Sequence, residues 1–174
     1  MSEKNILKEV PCIETDRLLL NGIGTDDIDD YNTIVLDKER NLMWGYDDVG
    51  ALGTEPKRES FYEVVTTDFK NGDALNFAVR EKGKTKLIGE AVLYDFDNRG
   101  CGELGCRIAA EYSGLGYGAE AYKAVIDWVK RSGYLRKIVG KCFKGNISSR
   151  KMLEKTMTPC GEDDKYYYYY VEVE

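Results

Sequence analysis

The sequence predicts a mixed α+β fold: a central, mostly antiparallel sheet flanked by about four helices. Three observations carry that prediction. β-Prone runs separated by tight turns fill the middle of the chain between Asn76 and Ile108. Stretches with helix-spaced apolar residues stand before and after that block. A glycine-rich loop, Ser113–Gly118, connects the last strand of the block directly to a helix.

Taken in order, Arg17–Leu20 reads as a short buried strand. Thr25-Asp26-Asp27 supplies N-cap chemistry for a helix over about Asp27–Asp37, with Ile28, Tyr31, Val35 and Leu36 on its apolar face. Asn41–Glu55 reads as a loop. Pro56 suits a first helical turn, and a second helix is expected to run to about Lys70, burying Phe61, Val64, Val65 and Phe69 before Asn71-Gly72 stops it. Three antiparallel strands follow: Asn76–Val79, Leu87–Phe96 and Glu103–Ile108, turned at Glu81–Lys84 and Asp97–Gly100. A helix over Gly118–Arg131 carries the stripe Ala121, Val125, Trp128 and Val129. Lys137–Phe143 is a strand, Ile147–Lys155 a helix opened by Asn146 or Ser148, and Tyr166–Val173 a final strand. Its five consecutive tyrosines must point to both faces of a sheet, some inward and some outward.

Composition narrows the chemistry. The 174 residues include no histidine, which excludes Ser-His-Asp triads, Cys-His dyads and His-based zinc or haem sites. Acid–base work falls to carboxylates, Lys, Tyr, Cys, Ser or water. The net charge of -6 argues against nonspecific binding of nucleic acid. Eight bases and no acid lie between Trp128 and Leu153, either as a solvated face or as a site for a polyanionic small ligand. The five cysteines (Cys12, Cys101, Cys106, Cys142, Cys160) have neither disulfide-framework nor zinc spacing. No secretory signal and no membrane-length apolar run is visible, so a cytoplasmic protein with reduced thiols and no resident metal is expected.

The most informative stretch is Tyr112-Ser113-Gly114-Leu115-Gly116-Tyr117-Gly118-Ala119-Glu120-Ala121. Glycines let several backbone N–H groups converge, and the helix that follows adds partial positive charge, so the loop suits a phosphate. A plain strand-to-helix turn is the alternative. The loop ends Gly-Ala-Glu, which excludes a Walker A loop. Gly114, Gly116 and Ala119 match a dinucleotide fingerprint, but the acid required about 20 residues later would fall in the acid-free stretch.

From Leu87 onward the chain resembles the GNAT superfamily of acetyl-CoA-dependent N-acyltransferases, whose phosphate loop has the form Arg/Gln-x-x-Gly-x-Gly/Ala. Glu103–Ile108, Gly116–Ala121, Thr15–Leu20 and Asn146–Ser149 are similar to the ribosomal-protein N-terminal acetyltransferase subgroup, and occur in that subgroup's order. The resemblance implies one N-acetyltransferase domain over residues 1–174, with the fourth and fifth expected strands, Glu103–Ile108 and Lys137–Phe143, splayed apart. It implies that backbone N–H groups of Ser113, Gly114, Leu115, Gly116, Tyr117 and Gly118 hold the CoA pyrophosphate. Cys106 and Ile108 would offer backbone hydrogen bonds to pantetheine, and Asn146 would reach the pantetheine arm or the acceptor.

Two residues depart from the family pattern. Ser113 stands where Arg or Gln is usual, and Leu153 where many members carry a proton-donating Tyr. The expected reaction is acetyl transfer from the cosubstrate acetyl-CoA to a primary amine, of a small molecule or a protein N-terminus. Glu103 is the expected base and Ser149 the expected proton donor to the departing thiolate; an exposed strand Glu is the plainer reading of Glu103. An acetyl-cysteine route through Cys101 or Cys106 has no visible activating base. The departures at Ser113 and Leu153 motivate a second reading, a catalytically weak acyl-CoA-binding regulatory module. The acceptor is expected to be a cationic amine lying against acidic residues such as Asp26, Asp27, Asp29, Asp30, Asp47 and Asp48; whether the protein forms a homodimer is left open.

Overall fold

Eight strands hydrogen-bond into one sheet in the computed structural model, which describes residues 7–44, 50 and 52–173. They are β1 (Ile13–Glu14), β2 (Leu18–Gly22), β3 (Ala74–Glu81), β4 (Gly89–Tyr94), β5 (Cys101–Ile108), β6 (Lys137–Phe143), β7 (Thr158–Glu162) and β8 (Tyr166–Glu172). The spatial order is β1-β2-β3-β4-β5-β6-β8-β7, antiparallel everywhere except between β5 and β6. Among the described residues five α-helices accompany it: α1 (Ile28–Val35), α2 (Lys38–Asn41), α3 (Ser60–Asn71), α4 (Tyr117–Ser132) and α5 (Ile147–Thr156).

Strand alternation divides the core in two. Leu75, Phe77 and Val79 of β3 join Ala91 and Leu93 of β4 under the α4 stripe Ala121, Tyr122, Val125 and Val129. On the opposite face Ala78 and Leu87 lie beneath Tyr31, Ile34 and Val35 of α1 and Phe61 and Val65 of α3. Both long helices stop where the chain can turn left-handed. Gly133 (φ +65°) closes α4, and Gly72 (φ +73°) closes α3 with N–H bonds from Gly72 to Phe69 O and from Asp73 to Asp68 O.

The parallel pair is short. Cys101, Gly102 and Glu103 face Lys137, Ile138 and Val139, and there the pairing ends. Beyond that point β5 continues against β4 as far as Ile108, and β6 against β8 as far as Phe143. Tyr122 of α4 fills the base of the fork: its hydroxyl donates to Leu104 O at 3.1 Å and lies 3.3 Å from Met157 Sδ. Gly140 makes room for it. A Cβ at that position would stand 2.5 Å from the Tyr122 hydroxyl and 3.0 Å from Met157 Sδ.

Most expected elements are present, with shifted bounds. The first helix begins as a 3₁₀ turn over Thr25–Asp27 and ends at Val35, leaving Leu36 47% exposed. The second starts at Ser60, so Pro56 precedes it, and Val64 faces outward. Two short strands and one short helix, β1, β7 and α2, escape the sequence reading. Every residue of β7 is exposed, so no alternating pattern announces it. Of the tyrosine run, Tyr169 is in the core and its neighbours are half-buried. The expected loop Asn41–Glu55 lies partly outside the described residues.

Replacing Gly140 with Ala forces a methyl into the fork and is expected to cost about 1–3 kcal/mol. For a chain of this size that is a fall in melting temperature of about 2–4 °C per kcal/mol. Thermal denaturation measures it, and an unchanged midpoint contradicts the packing described.

Candidate active site

A strand, a turn and a helix N-terminus make the first half of the site. β5 leads through a 3₁₀ turn (Ala110–Tyr112) into the loop, where Gly114 (φ +77°) and Gly116 (φ +82°) take conformations that a side chain would strain. Gly116 caps α4, and no described residue accepts from the backbone N–H groups of Leu115 to Ala119. Those donors, at the positive end of a 16-residue helix, form an anion cradle. The Ser113 N–H is committed instead to Ala110 O at 3.2 Å, as is its hydroxyl at 2.9 Å.

Arg17 of the β1–β2 turn braces this loop from outside. Its NH1 donates to Leu115 O at 2.9 Å, its Nε donates to Glu120 Oε2 at 2.6 Å, and its guanidinium stacks 4.6 Å from the Tyr117 ring centroid. Partial burial opposes ionisation of Glu120, but bonds from Thr15 and Arg17 outweigh it and hold that carboxyl below its ordinary value.

The fork supplies the second half. Ala109 N–H donates to Ile88 O; by strand alternation Arg107, Gly105 and Glu103 bond to β4, while the backbone groups of Ile108, Cys106 and Leu104 face the gap. Tyr122 occupies the Leu104 carbonyl. Cys106 and Ile108 therefore offer backbone donors and acceptors along an open edge, with Gly118 beside them, its carbonyl 3.8 Å from Cys106 Sγ. A cleft of about 460 Å³ runs from the loop along this edge to Asn146, Ser149 and Leu153 of the α5 region. Asn146 Oδ1 caps α5 by accepting from the Ser149 N–H at 3.1 Å, which leaves its amide nitrogen as the free end. Leu153 is fully buried against Gly140.

Glu103 stands at the point of the fork, its side chain 12% exposed. One oxygen accepts from the Tyr94 hydroxyl at 2.6 Å and the other pairs with Lys141 Nζ at 3.4 Å. Burial, then the bond to Glu103, raises the Tyr94 hydroxyl well above its ordinary value, so it remains a proton donor at neutral pH. Tyr94 and Lys141 also line a second cavity of about 470 Å³ between the sheet and α1 and α3. Trp44 lies between the two spaces, stacked 4.5 Å from the Arg107 guanidinium. Gly105 allows this, since a Cβ there would meet the indole at 2.9 Å. Arg107 is held by Glu90, which also accepts from Tyr31 at 2.6 Å and Asn76 at 2.9 Å.

The expected residues Glu103, Cys106, Ile108, Ser113, Gly114, Gly116, Tyr117, Gly118, Asn146 and Ser149 all line the one cleft. Leu115 contributes backbone to the loop while its side chain is exposed. One reading needs correction. Asp27 is buried against Arg80, Asp29 pairs with Arg58, and Asp30 accepts from the Leu87 N–H, so these acids serve the fold; Asp47 and Asp48 lie outside the described residues. In the basic segment four of the eight bases, Lys137, Lys141, Lys144 and Arg150, pair with a carboxylate. Only Lys141 and Lys151 of its eight bases line the cleft. Tyr94 and Trp44 went unnoticed because nothing local in the sequence marks them.

A backbone anion cradle continuous with an open strand edge suits a ligand that joins a phosphate group to an extended, hydrogen-bonding arm. The comparisons name the family. The Acetyltransferase (GNAT) domain family model matches residues 17–156, and the chain belongs to that family. It is 27% identical over 117 residues to an uncharacterized N-acetyltransferase, YnaD, of Bacillus subtilis (strain 168), covering 60% of this chain and 69% of that protein. A GNAT-family acetyltransferase from Bacillus anthracis superposes with a TM-score of 0.73 at 21% identity, over 93% of this chain and 98% of that one. RimL, a ribosomal L7/L12 alpha-N-protein acetyltransferase solved with coenzyme A, superposes with a TM-score of 0.78 at 14% identity, over 94% and 98%. The protein is thus an acetyl-CoA-dependent acetyltransferase. None of its described helices is long and apolar enough to cross a membrane.

Two predictions follow from this geometry. Arg17→Ala removes the brace and its charge-assisted bonds, and acetyl-CoA affinity is expected to fall roughly tenfold in calorimetry; unchanged affinity contradicts the bracing. Burial, then the nearby Glu90 carboxylate, pushes the Cys106 thiol up to about 12. It stays protonated across pH 7–9, so peptide mapping after mixing with acetyl-CoA is expected to find no acetyl group on Cys106. An adduct there would contradict the direct route.

Proposed function

We propose that the protein transfers the acetyl group of acetyl-CoA to a primary amine by direct attack, with Glu103 taking the amine proton. The observation that supports this most is the position of Glu103 at the point of the fork, where the cleft and the second cavity share Tyr94 and Lys141. An amine arriving through the second cavity meets the Glu103 carboxylate and the Tyr94 hydroxyl before it reaches the thioester.

In this reading Leu115–Ala119 hold the pyrophosphate, and the open backbone of Cys106 and Ile108 aligns the pantetheine arm. Glu103 accepts the proton of the ammonium, directly or through the Tyr94 hydroxyl as a relay. The neutral nitrogen attacks the thioester carbon, and the oxyanion is stabilised by strand N–H donors facing the fork. Collapse expels the CoA thiolate, which takes a proton from the Ser149 hydroxyl at the cleft wall, and the second proton lost by the attacking nitrogen restores that hydroxyl. Lys141 fixes the Glu103 carboxylate and offsets its burial.

Glu103→Gln keeps the shape and the contact with Tyr94 but cannot take a proton. Its kcat/KM for an amine acceptor is expected to fall about 10²-fold or more at neutral pH. The deficit should shrink at high pH, where the amine arrives already neutral. Full activity of this variant at neutral pH would remove Glu103 as the base. Calorimetry with acetyl-CoA, run beside it, separates a binding defect from a chemical one.

A further inference from the structure

Trp44 takes no part in the transfer chemistry, yet it is held at the centre of the site. Four described residues line both the cleft and the second cavity: Trp44, Tyr94, Arg107 and Lys141. Tyr94 and Lys141 hold the Glu103 carboxylate. Arg107 and Trp44 make up the rest of the partition, and the indole is its large apolar part.

The ring is fixed from several sides. The Arg107 guanidinium stacks 4.5 Å from its centroid. Arg107 NH1 also donates to Asn41 Oδ1 at 2.7 Å, and the Trp44 backbone N–H donates to Asn41 O at 3.1 Å. Asn41 is tied in turn to the end of α1, where its Nδ2 donates to Ile34 O and Val35 O. Beneath the ring lies Gly105: a Cβ there would stand 2.9 Å from Trp44 Cη2 and 3.6 Å from Tyr94 Cε1.

Stability of the surrounding segment does not call for this tryptophan. Helix α2, which leads into it, has no buried residue, and the next apolar side chains, Leu42 and Met43, are exposed. The segment turns inward at Trp44, over a glycine that leaves room for the indole. What the ring does there is separate two spaces.

Gly105 stands between Glu103 and Cys106 on β5. With the pantetheine arm along Cys106 and Ile108 and the amine at Glu103, the thioester lies beside Gly105, and its acyl carbons run toward the indole. Behind the indole is the second cavity of about 470 Å³, with Leu52, Phe61, Val65 and Val92 as its apolar wall. We propose that Trp44 sets the length of the acyl group: two carbons fit in front of the ring, and a longer chain collides with it. This rests on the transfer reading above for the place of the thioester, and it assigns the residue that selects the acyl donor.

The test is calorimetry of the full chain with acetyl-CoA, butyryl-CoA and hexanoyl-CoA. No amine is present, so a chain that enters the second cavity has no acceptor to displace. The unsubstituted protein is expected to bind acetyl-CoA about tenfold or more tightly than butyryl-CoA, the scale of discrimination in a closed apolar pocket. Trp44→Ala is expected to reverse the order, with affinity rising about fourfold for each methylene that enters the cavity. Trp44→Leu keeps a smaller apolar side chain against Arg107 and covers the case in which the alanine variant does not fold. It is expected to bind butyryl-CoA more tightly than the unsubstituted protein does. Affinity of the unsubstituted protein that does not fall with chain length overturns the proposal and leaves the transfer reading standing, as does a length limit that neither substitution moves. A limit that moves as expected, with no CoA released once amines are added, supports the role of Trp44 and overturns the transfer reading. Failure to bind any of the three thioesters overturns both.

Discussion

The active site depends on a failure of pairing. β5 and β6 run together for three residues and then separate, and the open strand edge of the candidate site follows from that separation. Backbone groups that a continuous sheet would consume are left open at Cys106 and Ile108. Holding such a gap open without leaving polar groups stranded is a packing problem. Tyr122 answers it: the ring fills the base of the fork, the hydroxyl satisfies Leu104, and Gly140 vacates the volume the ring needs. The same helix that carries Tyr122 opens at the glycine loop, so one rigid element sets both the fork and the anion cradle.

The other face of the sheet carries a buried polar network beside its apolar core. Glu90, 1% exposed, gathers Tyr31, Asn76 and Arg107, and Arg107 in turn carries the Trp44 ring. A charged pair in such a place is poor evidence for stability, because desolvation offsets much of its attraction. Its consequence is positional: Arg107 holds the indole that lies between the cleft and the second cavity, two spaces that also share Tyr94 and Lys141. The residues of this network are spread from α1 to β5, so only the folded sheet assembles them.

That distinction governs what could be read from the chain beforehand. The glycine loop was legible because its shape is carried by backbone, and three glycines before a helix mark it. Glu103, Cys106 and Ile108 were legible because they stand on the strand that enters that loop. Elements with a repeating apolar pattern were found; β7, exposed at every residue, was not. Charge was misleading in both directions. Asp27, Asp29 and Asp30 looked like a substrate surface and turned out to hold Arg80, Arg58 and the Leu87 N–H, while the acids that do line the cavity, Asp68, Asp73 and Asp95, are scattered singly and drew no attention. Counting charges along a chain cannot tell a paired carboxylate from an unpaired one; only the fold decides which finds a partner.

The central claim is that the N–H groups of the fork and loop bind the cofactor. Residue-resolved hydrogen exchange with and without acetyl-CoA tests it most directly. The amides of Cys106, Ile108 and Leu115–Ala119 are predicted to slow together on addition of the cofactor, while those of Arg107 and Gly105, already bonded to β4, change little. Exchange at the fork and loop that stays as fast with acetyl-CoA as without it would contradict the account.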